Sequence, residues 1–476
     1  MTAPSSDRPA FDPNLSAIIR AALERQAASD VAPPRLDAGA RVIRLEALAG
    51  QNWIQAPPEA LVGRNIALLT RDQLSAAIAM CSLDSVAGRL VIVPPDLPEE
   101  HLPGVIAEAE IDAVVHDGDA APPALSVPAF KIRDTEGGAP HLPASGRPSE
   151  WVMFTSGTTG PPKMVVHELA GLTQAIPIGQ SHEGPPIVWA TFYDIRRYGG
   201  LQMLLRALTG AHTMILTGPG EYMADFIGRV ARAGATHVSG TPSHWRSALQ
   251  MPALDALRPR YVRLSGEIAD QRVLDQLGAF FPGVASGHAY ASTEAGVGFE
   301  VTDGRVGFPA AFLGRRGRVE MHLQNDTLRL RSPGCARRFV GEDHPPIADA
   351  DGFVDTGDLI EQRGERCFFM GRANGVINVG GLKVHPEEVE AVINRCPGVR
   401  LSRVNERRNP ILGAVVAAEV VLEDHALGVG EAARASRERI LDHCRGALTE
   451  FKVPASVKFV EALPMTAGGK LERRRA

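Results

Sequence analysis

Residues 153–167 read MFTSGTTGPPKMVVH, a short apolar run followed by hydroxyl side chains, glycines, prolines and one lysine. This is not the common nucleotide-binding loop, which needs glycine directly before lysine and Ser or Thr after it, because here Pro162 precedes Lys163 and Met164 follows it. Backbone N–H groups freed by glycine, hydroxyls and one cation are nevertheless groups that bind an anion. The stretch is therefore interpreted as either an anion-binding loop or an ordinary polar surface loop.

The sequence on both sides of this loop alternates between short apolar runs and segments compatible with helices. Before the loop, NIALLT, RLVIVPP and DAVVHD are separated by DQLSAAIAMCSL and EEHLPGVIAEAE. After it, the apolar runs are PIVWATF, HTMILTG, THVSGTP, RYVRLSG and GVASGHAY. This alternation predicts βαβ units, and continuous apolar runs are typical of parallel strands buried on both faces. The fold class is therefore α/β, with a Pro/Gly-rich interruption at about residues 121–150.

The pattern changes after about residue 300. RVEMHLQNDTLRLRSPG alternates apolar and polar residues around Asn325–Asp326, which indicates a hairpin, and GFVDTGDLIEQRGERCFFMGR reads as strand, turn, strand. The last hundred residues read as helix (HPEEVEAVINRC), strand (GAVVAAEVVLED), helix (EAARASRERILDHCRGAL) and strand (SVKFVEALP). We expect a large multi-layer domain at 1–372, with a β-rich subdomain at about 300–372, and a small mobile α+β domain at 373–476.

Bulk composition excludes several classes of protein. A chain of 476 residues exceeds what one hydrophobic core usually supports, so at least two domains are expected. The net charge of -5 gives no electrostatic reason to expect nucleic acid as a partner. Five scattered cysteines indicate a reducing compartment. Without a signal pattern or an apolar run of roughly 20 residues, a cytoplasmic protein with no membrane insertion is expected.

Four further stretches combine acids, hydroxyls, glycines and lysines: HAYASTEAG (288–296), DTGDL (355–359), GRANGVINVGGLKVHPEEVE (371–390) and LPMTAGGKLERR (463–474). Together with TSGTTGPPK, and in this order, they resemble the adenylate-forming superfamily, which includes acyl-CoA synthetases, adenylation domains of peptide synthetases and luciferases. The resemblance extends from about residue 60 to the C-terminus, and its five ordered motifs are specific only jointly. It implies activation of a carboxylic acid by ATP.

The resemblance implies that the loop at 153–167 holds the β- and γ-phosphates of ATP. The residues assigned to this role are Thr155, Ser156, Gly157, Thr158, Thr159, Gly160 and Lys163. As an alternative, Lys163 is a solvent-exposed charge with no phosphate to bind.

HAYASTEAG is implied to surround the nucleotide, through Ala289, Tyr290, Ala291, Ser292, Thr293 and Glu294. Tyr290 is expected to stack on adenine, Thr293 to contact the α-phosphate, and Glu294 to bind Mg²⁺ directly or through water, since a hard cation prefers oxygen ligands. The alternatives are a core aromatic residue for Tyr290 and an exposed acid at a strand end for Glu294.

Two other motifs are implied to bind the nucleoside. Asp358 is expected to accept hydrogen bonds from both ribose hydroxyls, because an ionised carboxylate has two acceptor oxygens, and Arg372 is expected to support the ribose. A salt bridge at a domain boundary is the alternative for this pair. The family lines the adenine pocket at the positions of Ser265, Gly266 and Glu267.

Lys470 is the residue expected to carry catalysis. The glycines at 468–469 give its loop the freedom to bring the ammonium group to both the attacking carboxylate and the α-phosphate. A lysine that is merely solvated is the alternative. Because thiol attack requires this lysine to leave, the resemblance implies that the small domain rotates between the two reactions.

The hinge for that rotation is expected at Asn374, where the family more often has Asp or Lys. Asn tolerates unusual backbone angles, so the hinge remains feasible. After rotation Gly380 and Gly381 are expected to approach the pantetheine chain, because glycine allows a close backbone approach. Lys383 lies where coenzyme A ligases contact their cofactor, or is a surface lysine.

The acid-binding region departs from the pattern of many acyl- and aryl-CoA ligases, which have Phe-His where this chain has Tyr193-Asp194. Asp194 is interpreted either as a ligand for the amino group of an amino acid substrate or as an ion-pair partner of Arg196 or Arg197, and the ion pair is favoured. The acid pocket is expected to be shaped by Trp189, Tyr198, Gly199 and Gly200.

These observations favour an ATP-dependent acid–thiol ligase that uses Mg²⁺ and passes the acyl group to coenzyme A. One alternative is a stand-alone adenylating enzyme that loads an amino, hydroxy or aryl acid onto the phosphopantetheine arm of a carrier protein, which is expected to act in trans. Another is a non-catalytic nucleotide-binding relative, against which the presence of Glu294, Asp358, Arg372 and Lys470 counts.

Overall fold

The computed structural model describes residues 14–26, 32–120, 125–138, 140–142, 144–155, 163–179, 185–341, 344–409, 413–466 and 470–472. The chain divides into two compact units. The first unit contains Met1–Thr155, Pro162–Thr236 and Gly334–Pro346, and the second contains Ser156–Pro161, His237–Pro333 and Ile347–Ala476.

The strands of the described ranges are numbered here in chain order. The first fourteen are β1 (Arg35–Asp37), β2 (Val42–Arg44), β3 (Asn65–Leu69), β4 (Arg89–Ile92), β5 (Ala113–His116), β6 (Ala129–Lys131), β7 (Glu150–Phe154), β8 (Met164–Glu168), β9 (Val188–Thr191), β10 (Thr213–Ile215), β11 (His237–Gly240), β12 (Tyr261–Ser265), β13 (Ala285–Ser292) and β14 (Gly296–Val301). The others are β15 (Phe308–Pro309), β16 (Glu320–Gln324), β17 (Thr327–Arg331), β18 (Arg338–Phe339), β19 (Val354–Arg363), β20 (Arg366–Arg372), β21 (Ile377–Val379), β22 (Leu382–Val384), β23 (Val399–Asn409), β24 (Gly413–Leu422) and β25 (Ser456–Phe459).

The α-helices within the described ranges are α1 (Leu15–Gln26), α2 (Leu45–Gly50), α3 (Gln73–Leu83), α4 (Leu102–Glu108), α5 (Leu169–Leu172), α6 (Tyr198–Thr209), α7 (Met223–Arg232), α8 (Pro242–Ala248), α9 (Gln271–Phe280), α10 (Pro386–Ile393) and α11 (Gly430–Ala447). Among these described helices none combines the length and the apolar content needed to cross a bilayer.

The first unit is built on a sheet whose described strands run in the order β18-β8-β7-β4-β3-β5-β6. β7, β4, β3, β5 and β6 are parallel, and β8 and β18 add an antiparallel edge. Helix α3 is buried along its whole length because it is apolar on all sides, and the Asp72 carboxylate caps it by accepting from the Ser75 N–H. In the same unit β2, β1, β10 and β9 are adjacent.

The first part of the second unit contains two groups of paired strands. β11, β12 and β13 are parallel, and β14 pairs with β13 in the antiparallel direction. A sheet of β15-β20-β19-β17-β16 follows. The β16–β17 turn is formed by Asn325 and Asp326, which both have positive φ values of 52° and 61°. Asn and Asp tolerate this left-handed conformation, so the predicted hairpin is confirmed.

The last part of the second unit has its own core. β22, β21, β24 and β23 are adjacent, and β25 pairs with β24. Buried residues from the sheet and from α10 and α11, including Val389, Ile393, Val416, Ile440 and Val457, form one cluster. An α+β arrangement was predicted here, and the two helices and the strands β24 and β25 lie where the sequence indicated.

The α/β class is confirmed, and the structure differs from the sequence prediction in three places. The strand β8 directly follows the loop and pairs with β7, although the residues from Met164 onward were read only as the end of that loop. β23 was missed because exposed charges at Glu406, Arg407 and Arg408 hide a strand that pairs with β24 along its whole length. Helix α4 begins only at Leu102, after a single turn of 3₁₀ helix.

Candidate active site

The predicted phosphate loop connects two adjacent antiparallel strands of the first unit. The Thr155 N–H donates to the Lys163 carbonyl at 2.9 Å, which closes the loop at its base. Thr155 is buried, whereas Lys163 is exposed and its Nζ lies 5.5 Å from the centre of the Phe339 ring. Ser156, Gly157, Thr158, Thr159 and Gly160 lie outside the described residues. Phosphate binding by this loop stays a prediction.

Three residues predicted to contact the nucleoside meet in the second unit. Strands β19 and β20 place Asp358 directly opposite Arg372. The Arg372 Nε donates to Asp358 Oδ1 at 3.2 Å, and the Tyr290 hydroxyl donates to Asp358 Oδ2 at 2.6 Å. We call these three residues the carboxylate cluster. Each oxygen of a largely buried carboxylate therefore has a fixed neighbour and retains further acceptor capacity.

The charges in the carboxylate cluster reinforce this geometry. Burial, and then the Asp358 carboxylate, raise the pKa of Tyr290 well above its ordinary value, so its hydroxyl remains a hydrogen-bond donor. Partial burial lowers the pKa of Arg372, but the carboxylates of Asp358 and Glu294 outweigh it and raise that pKa. Glu294 is thus electrostatically coupled to the cluster.

Aromatic residues surround Tyr290. Its ring stacks near Phe299 and Phe369, with centroid distances of 5.6 and 5.1 Å. Phe308 and Phe312 extend the same aromatic group. The alternative interpretation of Tyr290 as a packed aromatic residue describes these contacts, and stacking on adenine stays a prediction.

The remaining residues of HAYASTEAG occupy the end of β13 and the turn into β14. Ala289 is buried, and Ala291 and Ser292 are half-buried at the end of the strand. The Ser292 hydroxyl accepts from the Ala295 N–H at 2.9 Å and so fixes the turn that carries Thr293 and Glu294. Within the part of the chain that is described, no group of three or more His, Cys, Asp or Glu residues could hold a metal ion.

Lys470 lies against the predicted adenine motif. A Cβ atom placed on Gly266 would be 3.2 Å from Cε of Lys470 and 3.9 Å from its Nζ, and it would also be 3.8 Å from the methyl group of Thr241. Gly266 has a φ of +87°, which favours glycine. The lysine side chain therefore passes directly over a bare stretch of backbone that any larger residue would obstruct.

The lysine is carried by a short hairpin made of residues 463–466 and 470–472, which we call the Lys470 hairpin. Met465 and Leu471 pair across it, and the Thr466 N–H donates to the Lys470 carbonyl at 2.7 Å. The part of the hairpin at residues 470–472 is anchored because the Leu471 N–H donates to Glu267 Oε1 at 2.8 Å. The Glu472 carbonyl accepts from Arg403 Nη1 at 2.7 Å.

Sequence reasoning missed the helix start that lies behind Glu267. The second oxygen of Glu267 accepts from the Ser243 N–H at 3.0 Å in the first turn of α8. Thr241 caps that helix, and its N–H donates to Nδ1 of His244. Burial lowers the pKa of His244 to about 4, against a smaller opposing effect of Glu267. The sequence signal for this helix start was TPSH at 241–244, which has a capping hydroxyl followed by proline.

The residues predicted to bind the acid belong to the first unit. Asp194 forms a two-point ion pair with Arg196, at 2.8 Å to Nε and 2.6 Å to Nη2, while Arg197 pairs with Asp96. Asp194 therefore forms the ion pair that was favoured for it, and the alternative, a ligand for a substrate amino group, stays a hypothesis. Trp189 is a buried residue of β9.

The start of α6 carries the other residues predicted for the acid pocket. The ring of Tyr198 lies 5.6 Å from that of His167, a residue that sequence reasoning did not select. A Cβ on Gly199 would face the Tyr193 ring at 3.8 Å, and one on Gly200 would overlap the Asp194 carbonyl. Acid binding by this group stays a prediction.

The predicted hinge and thiol-binding residues lie on exposed turns. Asn374 is exposed in a 3₁₀ turn directly after β20. Gly380 and Gly381 form the turn between β21 and β22 with φ values of 56° and 89°. Lys383 is exposed on β22.

Two of the curated relatives match this chain over different fractions of its length. The chain is 28% identical to the acyl-CoA ligase ppsA of Aspergillus oryzae, over 67% of this chain and 60% of that ligase, so it spans well under the full length of this relative. It is 22% identical to the 2-succinylbenzoate–CoA ligase of Bacillus thuringiensis subsp. konkukian, over 87% of both chains.

The fold resembles solved structures over nearly its whole length. The crystal structure of the anthranilate CoA ligase AuaEII in complex with anthranoyl-AMP matches with a TM-score of 0.78 at 17% identity, covering 99% of this chain and 97% of that one. The model of the AMP-binding enzyme family matches residues 60–335, more than half of the chain, and the model of the AMP-binding enzyme C-terminal domain matches residues 388–470. The chain therefore belongs to the AMP-binding enzyme family.

Proposed function

We propose that this protein is an AMP-forming acid–thiol ligase, which activates a small carboxylic acid with ATP and then transfers the acyl group to coenzyme A. The observation that carries the proposal is the position of Lys470, whose side chain lies over the backbone of Gly266. Gly266 directly follows β12, so the ammonium group is held beside a strand end, where it can offset charge that develops during the reaction.

The carboxylate cluster supports ATP as the substrate. Asp358 is largely buried, and Tyr290 and Arg372 fix the orientation of its two oxygens. Two acceptor oxygens suit the two hydroxyls of a ribose, and the hydroxyls can use the lone pairs that Tyr290 and Arg372 leave available. We assign Asp358 to the ribose and Ser265 and Gly266 to the adenine pocket.

The chemistry needs positioning and charge neutralisation more than acid–base catalysis. A carboxylate oxygen of the acid attacks the α-phosphorus, a new O–P bond forms, and the bond from phosphorus to the bridging oxygen breaks, so that pyrophosphate leaves. The Lys470 ammonium group orients the attacking carboxylate and offsets charge on the α-phosphate. The loop from Thr155 to Lys163 would hold the departing phosphates, with Thr293 near the α-phosphate.

A divalent cation fits this arrangement. When bound, Mg²⁺ neutralises the phosphate oxygens, and it needs few protein ligands because it retains waters and binds the substrate's phosphates. Glu294 is the residue that we assign to it, directly or through water. Glu294 contributes to the raised pKa of Arg372, so its carboxylate lies within electrostatic range of the carboxylate cluster.

The second reaction requires a different arrangement. The thiol sulfur attacks the acyl carbon, the S–C bond forms, the bond from that carbon to the AMP oxygen breaks, and the thiol loses its proton. We propose that residues 373–476 rotate about Asn374 as a separate domain, which removes Lys470. The exposed turn at Gly380 and Gly381, followed by Lys383, then approaches the pantetheine chain.

Coenzyme A is the proposed acceptor because the two relatives described above are named as coenzyme A ligases. A carrier protein supplied in trans offers the same phosphopantetheine thiol. The proposal places the enzyme in the reducing cytoplasm, which agrees with five cysteines that form no disulfide within the described residues.

The first prediction tests Lys470. A panel of carboxylic acids should show at least one acid that supports ATP–pyrophosphate exchange, and Lys470→Ala should lower that exchange by about 100-fold or more, because it removes a preorganised charge from the transition state. Lys458→Ala removes an exposed lysine from β25 of the same domain and should leave exchange unchanged. Exchange at the wild-type rate in Lys470→Ala would remove the catalytic assignment.

The acceptor is then identified with the active acid. Enzyme, ATP and that acid are incubated with either coenzyme A or a holo carrier protein, and the thioester is quantified. If no acid in a broad panel supports exchange, the protein is instead a nucleotide-binding relative without this activity.

A further inference from the structure

We propose that residues 265–272, here called the docking segment, hold the small domain in the arrangement required for adenylation, with Glu267 and Arg272 as positioning residues. This inference rests on the proposed two-step function. It assigns Glu267 a role different from lining the adenine pocket, and it gives Arg272 a function that the sequence did not indicate.

Glu267 makes the first contact. One carboxylate oxygen accepts from the Leu471 N–H at 2.8 Å, and the other accepts from the Ser243 N–H at 3.0 Å. The Ser243 N–H, in the first turn of α8, thus fixes one carboxylate oxygen. The other oxygen binds Leu471, the residue next to Lys470. Hydrogen bonds to a charged acceptor are the stronger kind, so this bond is well suited to locate a hairpin.

Arg272 makes the second contact from the first turn of α9. Its Nη1 donates to the carbonyls of Asn394 and Cys396, the latter at 3.2 Å, and its Nη2 donates to Glu423 Oε1 at 2.6 Å. The two carbonyls lie just beyond the last residue of α10, at the helix end that carries partial negative charge, and the Cys396 carbonyl also accepts from the Val399 N–H. One guanidinium group therefore binds three acceptors on the small domain.

The two contacts have the same consequence for the reaction cycle. Both join the docking segment to residues beyond 373, and both exist while Lys470 lies over Gly266. Rotation of the small domain must break them, so they stabilise only one of the two arrangements. An interaction made in only one state shifts the equilibrium toward that state. Weakening the contacts should therefore slow adenylation but not thiol attack.

Arg272→Ala is the decisive variant because Arg272 is not assigned to any substrate. We expect about a 10-fold fall in acid-dependent pyrophosphate exchange, in line with the loss of charge-assisted hydrogen bonds, and an unchanged KM for ATP. Thiol attack on added acyl-adenylate should proceed at the wild-type rate or faster. The backbone amides of the Lys470 hairpin should exchange with deuterium faster in the variant.

Two further variants test whether the effect is specific to the contacts of Arg272. Arg331→Ala removes an arginine that contacts Glu320 and the Asp351 carbonyl, and it should change neither half-reaction nor the exchange of the hairpin amides. Glu423→Gln weakens the same contact from the other side and should lower pyrophosphate exchange by about 3-fold, because only one of the acceptors of Arg272 is altered.

The outcomes separate this inference from the proposed function. Equal losses in both half-reactions, or no change in either, would overturn the docking role of Arg272. Unchanged deuterium exchange in the hairpin would overturn it as well. If the wild-type protein activates no acid, the proposed function fails, and the deuterium measurement on Arg272→Ala still decides whether Arg272 stabilises the position of the hairpin.

Discussion

The carboxylate cluster and the Lys470 hairpin, both in the second unit, are held in place by different means. Asp358 and Arg372 are opposite each other in a strand pair, so their separation is fixed by sheet register as well as by their side-chain bond. Lys470 lies on a short hairpin whose position depends on a few hydrogen bonds, above all the one from Leu471 to Glu267. Under the proposed function, nucleoside recognition is therefore rigid, whereas the lysine proposed for catalysis belongs to a part that can be released.

Asp358→Ala tests the rigid side of this comparison and should have the largest effect. It removes an acceptor for the ribose and leaves the Arg372 guanidinium and the Tyr290 hydroxyl without it, so we expect the KM for ATP to rise about 100-fold. Steady-state kinetics of pyrophosphate exchange measures this change.

Asp355→Ala is the matched control for that variant. Asp355 is a more exposed carboxylate of the same strand, and it pairs with Arg329 at 3.0 Å. Its loss should change the KM for ATP by less than about 2-fold, since surface ion pairs contribute little. A KM in Asp358→Ala within about 3-fold of wild type would contradict ribose binding by this residue.

The strands that carry the rigid side were accessible from sequence, whereas the contacts of the movable side were not. The apolar run GVASGHAY predicted β13, and the strand, turn, strand pattern of GFVDTGDLIEQRGERCFFMGR predicted β19 and β20. The partners of Glu267 are backbone N–H groups, one of them 204 residues away, and a backbone group leaves no trace in the residue types. The motif could therefore suggest that Glu267 belongs to the site, but not which group it binds.

The pH dependence of stability tests the start of α8, which contacts Glu267 and, through it, the Lys470 hairpin. The pKa of His244 is about 4 in the folded protein and near 6.5 when unfolded, so the unfolded state binds more protons between these values. Stability from this group is present above pH 6.5 and is lost as the pH falls toward 4. His244→Asn retains an acceptor for the Thr241 N–H but does not titrate.

The difference between the two proteins isolates the contribution of His244 from that of the other titrating groups. Between pH 7 and pH 4.5 the wild type should lose about 2 kcal/mol more unfolding free energy than His244→Asn, as measured by urea denaturation. Parallel pH profiles for the two proteins would mean that His244 is accessible to protons in the folded state.

Glu267→Gln tests the movable side directly and should have a smaller effect than Asp358→Ala, because a glutamine oxygen can still accept from one of the two N–H donors. We expect kcat for pyrophosphate exchange to fall about 10-fold, since one charge-assisted hydrogen bond is lost, while the KM for ATP stays within about 2-fold. Glu361→Gln, on the exposed part of β19, should alter neither constant. An increase in KM without a change in kcat would instead identify Glu267 as part of the adenine pocket. The docked arrangement of Lys470 would then depend on Arg272 alone, and the contrast between rigid recognition and releasable catalysis would rest on a single side chain.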